Sequence, residues 1–321
     1  MSSFNAPAWA WVVLAVVVCC AIVIDLVAHR GDHVDSRRRA FLWSVVWISV
    51  ALVFNLFVAL HFGLEAGEQF LAAYLLEKSL SVDNLFVFLL IFGSLGIPPT
   101  EQRRVLTWGI LGAIITRGVL IFAGAAVVAR WHSVLYLFGA ILIVAAIKLL
   151  RSSEKEEESR LLLWLERHLP WTRTLHGHHF ITRVSGKLVA TPLLLALISI
   201  ELTDVVFAID SVPAAFAVTE EPFLIYSSNL LALLGLRALY IVLAGWIADL
   251  RYLRFGLAGV LGFAGTKLLV TKWFSIEPLV SVAIIATMIG TAVAFSVRAN
   301  RRDHRRDVNA GLANPQYRGA P

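Results

Sequence analysis

The chain has 321 residues, 59% of them apolar and 16% charged, with a net charge of +6 and a mean hydropathy of +0.78. An ordinary soluble domain holds roughly 45–50% apolar and about 25% charged residues, and a globule of this length has no interior large enough to hide the surplus. A soluble globular fold is therefore excluded, as is disorder, which needs low hydrophobicity and high charge. What remains is an all-α membrane protein.

A bilayer crossing needs about 20 mostly apolar residues. In chain order, nine such stretches stand out, near 8–28, 40–60, 69–95, 105–128, 133–150, 188–218, 225–247, 254–271 and 278–297. The first differs from a secretory signal: Met1 to Pro7 holds no basic residue, and the first arginine is Arg30. It contains Cys19 and Cys20, the only cysteines, which read as small apolar fillers; disulfide frameworks, zinc ribbons and CxxC chemistry are absent.

The connections alternate in charge. The first carries Arg30, Arg37, Arg38 and Arg39, and the second, near Gly63 to Glu68, has no Lys or Arg. Arg103 and Arg104 follow, then Arg130 alone, then the basic 151–187 loop, then the acidic Thr219-Glu220-Glu221-Pro222. Arg251 and Arg254, Lys272 alone, and the tail arginines from Arg298 to Arg306 complete the series. By the positive-inside rule this predicts an N-terminus outside, a cytosolic C-terminus and an odd number of spans. The basic residues lie between apolar spans, where anionic lipid and topology account for them better than nucleic acid does.

Spans three to five resemble spans six to eight. Glu77-Lys-Ser-Leu-Ser-Val-Asp83-Asn84 is matched by Asp204-Val-Val-Phe-Ala-Ile-Asp210-Ser211: an acid, five residues, an Asp, then a small polar residue. Arg117 has a counterpart in Arg237, and Lys148-Leu149-Leu150 in Lys267-Leu268-Leu269. The loop charges give the two units opposite topology, the arrangement of transporters whose substrate sits near the midplane. The organisation expected is two N-terminal helices over 1–67, a three-helix unit over 68–150, a cytosolic loop over 151–187, a second unit over 188–272, a C-terminal helix over 273–299 and a basic tail over 300–321.

The 151–187 loop opens with Glu154-Lys155-Glu156-Glu157-Glu158 and holds His168, His176, His178 and His179. A histidine cluster can bind metal. With no second ligand set at fixed spacing, the loop reads instead as a solvated hinge with incidental histidines.

Glu77, Asp83, Glu201, Asp204 and Asp210 lie well inside apolar spans. A charged carboxylate there costs at least ~2.5–3.5 kcal/mol and needs a partner. Glu77 and Asn84 share one helical stripe, as do Asp204 and Ser211, with Glu201 one turn earlier. Pro213 predicts a kink beside Asp210 that turns this acid inward and frees a carbonyl. Carboxylates, an amide, a hydroxyl and carbonyls form an oxygen cage suited to hard divalent ions such as Mn²⁺, Mg²⁺ or Ca²⁺. The competing reading is a set of buried ion pairs with Lys78, Arg117 and Arg237 and no ligand.

These two motifs resemble the paired signatures of the TerC family, and in length and span count its Alx-type branch, over about residues 8–297. The resemblance implies a multi-pass protein of the bacterial inner membrane with a repeated three-helix core, associated with Mn²⁺ efflux and historically with tellurium resistance. It implies Glu77, Asp83, Asn84, Glu201, Asp204, Asp210 and Ser211 as ligands of a transported metal, with no resident cofactor. The expected partners are the lipid bilayer, the metal ion and other membrane proteins. An enzyme is not expected: an intramembrane aspartyl protease would need a proton-sharing Asp pair, usually in a Gly-x-Gly-Asp segment, which this chain lacks. The alternative is a non-transporting scaffold in metal homeostasis, metallation of exported proteins or tellurium resistance.

Overall fold

The computed structural model describes residues 6–28, 37–151, 163–175, 177–184, 186–243, 252–271, 273 and 276–313; the side chains of Val82, Asp83, Phe86 and residues 37, 243 and 300–313 fall outside this description. The described chain is almost entirely helical. Its helices are α1 (Ala8–Ala28), α2 (Arg37–Phe62), α3 (Leu64–Ser94), α4 (Pro99–Arg130), α5 (Val134–Arg151), α6 (Pro192–Phe216), α7 (Pro222–Leu234), α8 (Leu236–Leu243), α9 (Leu253–Val270) and α10 (Pro278–Ala313). α4, α6, α7 and α10 each open on proline, whose fixed φ suits the first helical turn and whose missing N–H is not needed there.

By length and composition seven of these helices can cross a bilayer, or eight if α7 and α8, bent by 42° at their junction, form one broken span. The remaining expected span, α3, is 31 residues long; Glu77, Lys78 and Asp83 give its central stretch more charged residues than the seven carry. Large apolar side chains such as Leu42, Val53, Leu60, Ile115 and Val119 are exposed, which in a polytopic membrane protein is the lipid-facing surface.

Contacts at the helix ends sort the connections. His132, after α4, lies 3.6 Å from Glu220, after α6. At the opposite end, His178 of the 151–187 loop meets Glu101 at the start of α4 at 2.7 Å. Glycines let α4 approach its neighbours closely: a Cβ on Gly109 would lie 3.2 Å from Ile200, and one on Gly118 3.2 Å from Tyr226. Small residues at such contacts are how membrane helices gain packing without a hydrophobic driving force.

Three features differ from the sequence reading. The 151–187 loop is more than a hinge: it carries an antiparallel hairpin of β1 (Ile181–Val184) and β2 (Lys187–Ala190), with Gly186 at a φ of 80° in the turn. The Thr191 hydroxyl, between β2 and α6, donates to the carbonyls of His179 (2.8 Å) and Phe180 (3.0 Å). α6 runs unbroken from Pro192 to Phe216 with Pro213 inside its last turn, and the described break lies in the next span, at Gly235. There a Cβ would sit 2.8 Å from Lys78 Nζ and 3.2 Å from the Trp47 side chain. Finally, α10 continues to Ala313 through the expected tail, a stretch with four arginines, which favour helix, and no proline to end it.

Candidate functional site

The site is built on α3, α4 and α6. α4 lies parallel to α6: along it, Gly109 faces Ile200, Gly112 faces Glu201, Arg117 meets Asp204 and Gly124 faces Phe216. α3 lies antiparallel to α6, since Gln69 bonds Thr219 while Glu77, further along, reaches Asp204 through Arg117. This places the two motif helices side by side, with α4 threading a guanidinium between them.

Arg117 is the centre. It is completely buried, and its Nε donates to both carboxylate oxygens of Asp204 (3.2 and 3.0 Å) while Nη2 donates to Oδ1 at 2.6 Å. Nη1 donates to Glu77 Oε1. With its amide oriented to satisfy both groups, Asn84 accepts from Arg117 Nη2 at 3.2 Å and donates to the Leu80 carbonyl at 3.2 Å. Glu77, Asn84 and Asp204 are each at most 3% exposed. A planar fork of donors is the group best matched to such a set of oxygens.

The arrangement places the expected ligands as follows. Glu77, Asn84 and Asp204 come together, but on Arg117. Glu201 is half-buried one turn before Asp204, its carboxylate against the backbone of Gly112. Asp210 is half-buried further along α6, and Ser211 is buried with its hydroxyl unpartnered. The side chain of Asp83 lies outside the described residues, as do His176 and the run Glu154 to Glu158. Among the described residues no group of three His, Cys, Asp or Glu side chains is arranged to hold a metal.

Counted as ionised, Glu77 and Asp204 carry two negative charges against the single charge of Arg117, with Glu201 close by. Lys78 does not make up the difference. Its ammonium donates to the Ala232 carbonyl at 3.0 Å, at the C-terminal end of α7, where a cation is favoured by the helix dipole. Glu77 Oε2 is buried and unpartnered. The site is thus a buried, oxygen-rich centre with more carboxylates than cations.

Arg237, the counterpart of Arg117, is engaged elsewhere. It reaches Asp25 at the end of α1, with Nη2 2.8 Å from Oδ1 and 3.0 Å from the backbone carbonyl, and donates to Thr107 Oγ1 at 3.4 Å. Asp25 is the functional candidate that sequence reasoning missed. It is the only acid in the first span, and an intramembrane acid calls for a partner.

A model of the Integral membrane protein TerC family matches residues 62–305. The chain is 44% identical over 304 residues to the uncharacterized membrane protein STKORF319 of Myxococcus xanthus, covering 94% of this chain and 95% of that protein. It is 40% identical over 305 residues to the Escherichia coli K12 protein provisionally named membrane-bound redox modulator Alx, covering 91% and 95%. The Salmonella typhi protein of the same name is 40% identical over 310 residues, covering 92% and 95%. No solved structure matches the chain. With a family match spanning most of its length and near full-length bacterial relatives, the chain belongs to the TerC family of integral membrane proteins.

Proposed function

We propose that this protein is a transporter that exports a hard divalent cation, most favourably Mn²⁺, from the bacterial cytosol across the inner membrane. The observation that carries the reading is the excess of buried carboxylate over Arg117 where α3 and α6 run antiparallel. A fixed guanidinium neutralises one acid of the pair and holds the other oxygens in place. The remaining charge attracts a cation whose desolvation it offsets. Arg117 then acts as the internal cation that keeps the carboxylates together when no cargo is bound.

Two further features favour this reading over a scaffold. α3 lies parallel on α7, with Gln69 near Thr219 and Lys78 near Ala232, as α4 lies parallel on α6. Exchanging the two units interchanges these contacts, as an inverted repeat requires. α5 and α9, the third helices of the two units, are antiparallel to each other: Gly139 meets Gly265, while Ala146, further along, is near Gly262. With α3 and the bent α7–α8 each taken as one crossing, nine spans result, an odd number in keeping with the loop charges, which favour the N-terminus outside and the C-terminus in the cytosol. The relatives' redox name has a narrow basis in this chain, whose two thiols, Cys19 and Cys20, are exposed on α1. A transport role without bond chemistry is the simpler account of buried acids.

Asp83 and Asp210, equivalent in the two motifs, are the proposed ligands that each unit adds to this centre. Mn²⁺ is favoured over Mg²⁺ because Mg²⁺ releases its waters reluctantly. The test is cellular Mn²⁺ content in cells lacking other exporters, comparing wild type, Asp83→Asn and Asp210→Asn at equal membrane abundance, followed by flux in proteoliposomes across a panel of divalent ions. Wild type should lower cellular Mn²⁺ and the variants should not. Equal export by both variants would leave these acids structural.

A further inference from the structure

The unpartnered oxygen of Glu77 belongs to a larger pattern. Tyr74, Glu77 and Ser81, at spacings of three and four residues, lie on one stripe of α3. All three are almost fully buried, at 3%, 2% and 0% exposure. Tyr74 Oη, Glu77 Oε2 and Ser81 Oγ each lack a hydrogen-bond partner. On α7, which packs along α3, Asn229 is 3% exposed and its Oδ1 is unpartnered too. Asn229 lies one turn before Ala232, the residue held by Lys78, and one turn after Tyr226, which packs on Gly118 beside Arg117.

Ser81 is the telling member. Hydroxyls on these helices generally satisfy themselves on the carbonyl four residues back: Ser44, Ser79, Thr116, Ser199 and Thr203 all do so. Ser81 leaves that option unused, although Ser79, on the same helix, takes it. Buried polar atoms that go unsatisfied are expensive, and native proteins keep very few. Several together on two packed helices are accounted for when water supplies the missing bonds.

We infer that Tyr74, Glu77, Ser81 and Asn229 line an internal water site on the side of Glu77 turned away from Arg117. The site runs about 10 Å along α3, at 1.5 Å per residue from Tyr74 to Ser81. Phe70 stacks on Tyr74 at one end, at an interplanar angle of 4°, and the buried Leu85 and Phe88 follow Ser81 along α3 by one and two turns. The site's ligand class is water and, by the same oxygen chemistry, the aquo shell of a hard cation. On the transporter reading, this is where cargo exchanges its hydration waters for protein oxygens; the presence of water does not depend on that reading.

The test is radiolytic hydroxyl-radical footprinting of the full chain in lipid nanodiscs, without metal, read by mass spectrometry. Tyr240 is the internal control: it is equally buried, but its hydroxyl donates to Gln102 Oε1 at 2.7 Å. Tyr74 should be oxidised severalfold faster than Tyr240. A Tyr74 rate equal to or below that of Tyr240 overturns the inference. The Tyr74→Phe variant gives a second reading. If the hydroxyl bonds water, its loss lowers the thermal midpoint; if it is a dry, unsatisfied atom, removing it leaves the midpoint unchanged or raised, which also overturns the inference. Fast Tyr74 oxidation in a protein that moves no Mn²⁺ supports the water site and removes the proposed transport.

Discussion

Gly139 and Gly265 face each other across α5 and α9 so closely that a Cβ on Gly139 would lie 2.9 Å from the Gly265 carbonyl oxygen, and one on Gly265 2.8 Å from the Gly139 carbonyl oxygen. The obstacle is backbone on both sides, so no side-chain rotation relieves it. Gly265→Ala is expected to destabilise the protein by about 1–3 kcal/mol through overpacking. Gly290→Ala, where nothing lies within 4 Å, should be neutral or nearly so. Thermal midpoints in detergent, with membrane abundance as a second readout, check the contrast.

Arg117 is expected to be the most sensitive residue in the protein. Arg117→Met leaves Glu77 and Asp204 buried without their cation, and breaking such a group costs about 3–5 kcal/mol. Membrane abundance should collapse. The triple variant Arg117→Met, Glu77→Gln, Asp204→Asn removes the charges together and should regain most of the abundance while remaining inactive. Arg117→Lys keeps the charge but loses the fork, so its abundance should fall between wild type and Arg117→Met. Immunoblotting of membranes decides the order, and a triple variant as scarce as Arg117→Met would show that the charges are not the cause.

The proposed orientation can be read from thiol accessibility. In a background carrying Cys19→Ala and Cys20→Ala, Glu220→Cys should react with an impermeant reagent in intact cells. Arg183→Cys, on the exposed face of the hairpin, should react only after permeabilisation. Labelling of position 183 from outside would reverse the units and with them the direction of transport.

The histidines of the 151–187 loop should matter little for metal handling. His178 pairs with the buried Glu101, but its own side chain is 61% exposed, so it stands at the solvent edge and away from the Arg117 centre. Changing His176, His178 and His179 together to Ala should leave Mn²⁺ tolerance close to wild type at equal protein level. A large loss of tolerance would make this loop part of the transport path.

Much of the site was legible because charge inside an apolar run must be satisfied. Glu77, Asp204 and Arg117 announce themselves in that way, and the helical stripe that joins Glu77 to the neutral Asn84 is arithmetic. What joins them was not legible. Arg117 serves both motifs at once, and Arg237 serves a residue 212 positions away; periodicity within one helix carries no information about either. The break in the second unit illustrates the same limit. Pro213 is a strong local signal, yet only the final turn of α6 follows it, so the helix completes. Gly235 is a weak local signal, and what marks it is tertiary: Lys78 Nζ and the Trp47 side chain lie within 2.8 and 3.2 Å of where a Cβ would stand. The hairpin escaped notice because each strand is only four residues long, too short for alternation to stand out.

Glu77 and Lys78 are neighbours in the chain, and they grip different parts of the protein: Glu77 holds the arginine of α4, while Lys78 holds the carbonyl end of α7 beside the 42° bend. The two side chains leave α3 about 100° apart, so one turn of a single helix touches both the carboxylate centre and the junction at Gly235. A displacement of α3 as a body bears on both places at once.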